Sequence, residues 1–90
     1  MRYAWDEGKR AANLIKHGLD FAIADGFQWD SAFIKPDNRL HYGEQRFTAA
    51  GFIEDRLHVM VFTLRSDMIR IIGLRKANLR EVKQYEDQKA

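Results

Sequence analysis

Apolar and polar positions divide the chain near residue 30, where a helical period gives way to strand-like alternation. A short apolar group, Tyr3-Ala4-Trp5, is consistent with a first strand. Asp6 then reads as a helix N-cap, since its carboxylate can accept from the unpaired N–H groups of a first turn, where Glu7 also meets the positive end of the helix. Ala11, Ala12, Leu14 and Ile15 give this helix an apolar side, and Gly18 suits the left-handed residue that ends it. Asp20 can cap a second helix over 21–28, with Phe21, Ala24 and Phe27 on one side. Alternation then predicts strands at 31–34, 46–53, 57–65 and 69–75, with Gly51 a possible bulge and polar loops or turns between. The run Leu57–Arg65 is apolar on both faces and belongs in the middle of a sheet, as does Ile69–Arg75. Asn78 followed by Glu81 has capping-box spacing and opens a terminal helix, with Leu79, Val82 and Tyr85 near one face. The expected architecture is α+β: an antiparallel sheet of four to five strands, with two N-terminal helices and one C-terminal helix.

Ninety residues with a near-average balance of apolar and charged side chains fit one domain, taken as 1–90. No apolar run is long enough for a membrane span, and the first ten residues lack a signal-peptide core. The chain has no cysteine, so thiol catalysis, disulfides and zinc–thiolate sites are excluded. A cytoplasmic setting is the expectation. Net charge is only +2, but it is unevenly placed. The last thirty residues hold seven Lys/Arg against four Asp/Glu. Within 65–80, Arg65, Arg70, Arg75, Lys76 and Arg80 stand against Asp67 alone. Such a concentration can attract a polyanion, or can be a solvated strand edge and helix end.

Three histidines, His17, His41 and His58, are far apart in sequence and form no metal-ligand spacing, so no metal is expected. His41 sits in a polar loop where an imidazole can act as acid or base. His17, in the last turn before Gly18, reads as a helix-end residue. The arginines are the stronger chemistry, because guanidinium binds phosphate bidentately and keeps its charge. With a three-residue turn at 66–68, Arg65 would pair with Ile69 and Val59 with Arg75. Arg65 and Arg75 would then share a face while Arg70 points away, unless a bulge forms at Gly73. The competing reading makes all three edge salt bridges. Lys9 is ordinarily a solvated helix lysine, Tyr85 a core side chain with a wet hydroxyl, and Glu81 a helix cap.

Taken together, "WDEGKRAANLIKHGLDFAIADGFQWD", "GEQRF", "VFTLR" and "RIIGLRKANLREVKQYE" resemble the BrnT family of type II toxin–antitoxin systems, in matching order from Trp5 to Tyr85. The resemblance implies a small RelE-like fold and a metal-independent endoribonuclease that needs no cofactor. It implies attack of the RNA 2′-OH on the adjacent phosphate and growth arrest. It also implies a BrnA-type antitoxin that neutralises the toxin and carries operator DNA binding, so that DNA is met only through the antitoxin. Thr63-x-Arg65 and Arg70-Ile71-Ile72 with Arg75 correspond to the family pattern. Gly73-Leu74 departs from it, since relatives more often carry a serine–alanine pair there. On this basis Arg65 and Arg75 are expected on the phosphate, Lys9 as base or second cation, and Tyr85 and Glu81 in secondary catalytic roles. Arg70, Lys76 and Arg80 are expected to bind RNA. The alternatives are a catalytically inactive homologue that binds antitoxin and acts as a co-repressor, and a stand-alone RNA-binding domain.

Overall fold

The computed structural model describes residues 2–38 and 43–89. Strand β1, Tyr3–Trp5, leads into helix α1, Glu7–His17. Two 3-10 helices follow, Phe21–Gly26 and Trp29–Ser31. Strands β2, Phe33–Asp37, β3, Arg46–Ile53, β4, Arg56–Arg65, and β5, Met68–Lys76, then lead to helix α2, Leu79–Lys89. The sheet order is β1-β5-β4-β3-β2. Neighbours from β2 to β5 are antiparallel, as short connections require. β1 instead pairs parallel to β5, so the sheet is mixed and not purely antiparallel. The rule of short turns applies only where strands follow one another directly, and α1 with the two 3-10 helices separates β1 from the rest.

The caps of α1 form as expected. Asp6 accepts from the Lys9 amide at 3.0 Å, and Gly18, at φ 72°, donates its N–H to the Leu14 carbonyl at 2.8 Å. His17 is simply the last helical residue. The expected second α-helix over 21–28 is corrected to a 3-10 helix, and there is one long N-terminal helix instead of two. Phe21, Ala24 and Phe27 recur every three residues, which is the 3-10 repeat, and all three are buried. The strand expected at 31–34 is also shifted, because Trp29–Ser31 closes a 3-10 turn and pairing runs on through Pro36 to Asp37. β2 lies at the sheet edge, where a proline costs no ladder bond. Gly51 makes no bulge. Pairing passes through it unbroken, and a side chain there would meet the Phe27 ring at 2.5 Å. The ring needs the space.

β4 carries the core on both faces. Met60 and Phe62 join Phe21, Ala24, Phe27, Ile69, Ile71 and Leu74 under the 3-10 helices. Leu57 and Val59 join Ala77 and Tyr85, with Phe33, Phe52 and Val82 packed alongside. Val82 and Tyr85 therefore face the sheet, but Leu79 is 89 % exposed and does not join them. Among the described residues, no helix is long and apolar enough to cross a membrane.

Candidate phosphate-binding cleft

Register decides which arginines meet. The β4–β5 loop has two residues, Ser66 and Asp67, because Arg65 pairs with Met68 and not with Ile69. Pairing continues to Phe62 opposite Ile71, then shifts so that Val61 faces Gly73 and Val59 faces Arg75. Ile72 is the extra residue of a bulge. The spacing of Ile69, Ile71 and Leu74, all in one core cluster, is its packing consequence. The expectation that Arg70 points away is thus corrected. Arg70 lies opposite Thr63 and Arg75 opposite Val59, and the bulge puts both on the α2 side of the sheet.

Three rows of side chains cross that face. Phe33, Ala50, Val59 and Arg75 make one, and Lys35, Thr48, Val61 and Gly73 the next. Asp37, Arg46, Thr63 and Arg70 make the third. α2 covers one end of these rows, and between it and the sheet lies a cleft of about 420 Å³. Lys35, Asp37, Thr48, Arg75, Glu81 and Tyr85 are among its lining residues.

Arg75 and Glu81 form a two-point ion pair, Nη1 to Oε1 and Nη2 to Oε2, each at 2.7 Å. Glu81 also accepts from the Asn78 amide at 2.9 Å, while the Asn78 side chain accepts from the Glu81 amide at 2.9 Å. The expected capping box is therefore present and is tied to the arginine. The Arg75 hydrogen bonds hold the Glu81 carboxyl below its usual value, against the opposing effect of burial; the Asn78 amide and the charges of Arg75 and Lys35 add to the lowering. A carboxylate so held is a poor base near neutrality, so its chemical contribution is to orient the guanidinium. Tyr85 donates its hydroxyl to the Ser31 carbonyl at 2.7 Å and meets Phe52 edge-on.

The structure brings Arg75, Glu81 and Tyr85 to one cleft. It does not bring Arg65 or Lys9 there. Arg65 lies six residues along β4 from the position opposite Arg75, roughly 20 Å away at strand spacing. It is exposed and pairs with Glu44 at 3.3 Å. Lys9 is exposed in the first turn of α1, and Arg80 is exposed in the first turn of α2. Lys76 is opposite His58, on the face away from α2. His41 lies outside the described residues. Among the described residues, no group of three or more His, Cys, Asp or Glu is placed to hold a metal ion.

Lys35 is the cleft cation that the sequence reading passed over. Its signal was the alternation Phe33, Lys35, Asp37, hidden because Lys-Pro-Asp reads locally as a turn.

Comparison with known proteins gives one finding on family. No curated protein matches the chain. Residues 5–81 match the model of the family described as the ribonuclease toxin BrnT of type II toxin–antitoxin systems. That span runs from β1 through the whole sheet to the glutamate that fixes Arg75, and the chain belongs to the BrnT family of ribonuclease toxins.

Proposed function

We propose that this toxin cleaves RNA at the cleft between α2 and the sheet, with Arg75 holding the scissile phosphate and Lys35 as the second cation. The observation that carries this reading is the two-point Arg75–Glu81 pair within a cleft also lined by Lys35. A guanidinium held by a carboxylate is fixed in orientation, which suits stabilisation of charge that develops on a phosphorane. In the reaction the 2′-oxygen bonds to phosphorus and the bond to the 5′-oxygen breaks. A base takes the 2′ proton, and the leaving oxygen gains one. The products are a 2′,3′-cyclic phosphate and a 5′-hydroxyl, and no metal ion enters the scheme. Glu81 positions Arg75, and Tyr85 fixes α2 against Ser31 beside the cleft. Arg70 and Arg65 extend the phosphate path along the same sheet face, with Lys76 and Arg80 as outer cations. Lys9 is assigned no step. We read the fold as RelE-like, supported by the antiparallel β2–β5 sheet with helices against it.

Membership of a type II system implies an antitoxin protein. We propose a BrnA-type partner in the cytoplasm that blocks cleavage and brings the pair to operator DNA. A second reading has one observation in its favour: Glu81 already takes two Arg75 donors. In that case the pair only clamps α2, and the chain is an inactive co-repressor. Incubating purified protein with RNA in chelator, with and without antitoxin, separates the two. Cleavage that survives chelator, leaves cyclic-phosphate and 5′-hydroxyl ends and stops on adding antitoxin supports the enzyme. Antitoxin binding with intact RNA supports the co-repressor.

A further inference from the structure

Among the described residues, one side chain hydrogen-bonds the backbone of β5 beside the bulge, on the edge away from β4. β1 pairs with β5 only at Ile69–Ile71. Beyond that, the backbone of Leu74 is met by Asn13 of α1. The Asn13 side-chain Oδ1 accepts from the Leu74 amide at 3.1 Å, and its Nδ2 donates to the Leu74 carbonyl at 2.8 Å and to the Leu19 carbonyl at 3.1 Å. One amide thus stands in for the missing length of neighbouring strand. Asn13 is the one buried side chain of α1, only 7 % exposed, so losing these bonds would strand polar groups away from water.

We infer that Asn13 is a positioning residue for Arg75, which it holds on the cleft face by fixing the register of the β5 bulge. The backbone N–H and C=O of one strand residue point to one side and those of the next to the other. Asn13 can meet both groups of Leu74 only if Leu74 directs them away from β4. Were the bulge to slip out, the following residues would shift by one, and Arg75 would turn to the opposite face. It would then leave Glu81 and Lys35. The consequence for catalysis rests on the reading of Arg75 as the phosphate contact, whereas the consequence for geometry does not.

The test measures both. In the folded toxin, the guanidinium N–H resonances of Arg75, assigned by their loss in Arg75→Ala, report the contact with Glu81. RNA cleavage is measured on the same proteins. Asn13→Ala is expected to melt cooperatively, to lose the paired Arg75 signal, and to cut kcat/KM by about tenfold or more, as displacement of a positioned group does. Arg10→Ala, which removes the α1 ion pairs to Glu7 and Asp20 without touching Leu74, is expected to keep the signal. Asn13→Ser, a neutral side chain too short to bridge both Leu74 groups, carries the test if Asn13→Ala does not fold, and is likewise expected to lose the paired Arg75 signal. A folded Asn13 variant that keeps the signal overturns the inference, as does loss of the signal in Arg10→Ala. If Arg75→Ala itself cleaves RNA like the wild type, the functional reading fails and the signal still decides the role of Asn13.

Discussion

Arg75 and Glu81 tie chemistry to stability at the scale of single residues. The Glu81 carboxyl is held low in the folded protein, so its contribution is fully present above the ordinary carboxylate range and is lost as pH falls through the lowered folded value. The stability difference between wild type and Glu81→Gln should therefore be largest near neutrality and shrink below about pH 4.5. Thermal melts of both proteins across pH check this, and a difference that grows on acidification would contradict it. Gly51 makes a different demand. A methyl group there would press into the buried Phe27 ring, so Gly51→Ala should destabilise by about 1–3 kcal/mol in denaturant titration. The sequence showed glycine at 51 but not the reason for it, because the ring comes from residue 27 and only the fold brings the two together.

Turns and caps set the elements. Both tight hairpin loops place a side-chain-bearing residue at positive φ, Glu54 at 56° and Ser66 at 55°. Glycine relieves that strain, so Ser66→Gly should raise stability by roughly 0.5–1 kcal/mol, read from the denaturation midpoint. The start of α2 was legible because a capping box is local, with partners three residues apart. β4 and the core of β5 were legible because alternation is local too. What was hidden depended on distant partners. The spacing of Phe21, Ala24 and Phe27 fits an α-helix loosely and a 3-10 helix closely, and burial under the sheet selects the latter. The parallel pairing of β1 needs β5 in place. The register of Arg70 and Arg75 needs a bulge whose outer bonds come from Asn13, sixty-one residues away from Leu74.

At the scale of the whole molecule, the bulge collects cations on one side of the sheet. Lys35, Arg75, Arg70 and Arg65 lie on the face that α2 only partly covers. Of these, Lys35 and Arg70 have no ion-pair partner among the described residues, whereas Arg10 on α1 is held by Glu7 and Asp20. RNA affinity should therefore fall as salt rises, through release of counterions from the bound phosphates. Arg70→Ala should reduce the magnitude of the log–log salt slope by about 0.7, the single-strand value for one phosphate contact, while Arg10→Ala should leave it unchanged. Equal slopes for wild type and Arg70→Ala would remove Arg70 from the phosphate path. The basic concentration in 65–80 was visible from composition. Its division was not: Lys76 faces the other way, Arg65 is distant, and the missing cation, Lys35, comes from the edge strand β2, with β3 and β4 between it and β5.

The most direct test of Arg75 as the phosphate-holding residue is the single-turnover rate of RNA cleavage in chelator, at saturating enzyme, for wild type and Arg75→Ala with matched folded content. Loss of a donor that acts on the developing phosphorane should lower that rate by roughly a hundredfold or more. An Arg75→Ala protein that cleaves as fast as wild type would contradict the account.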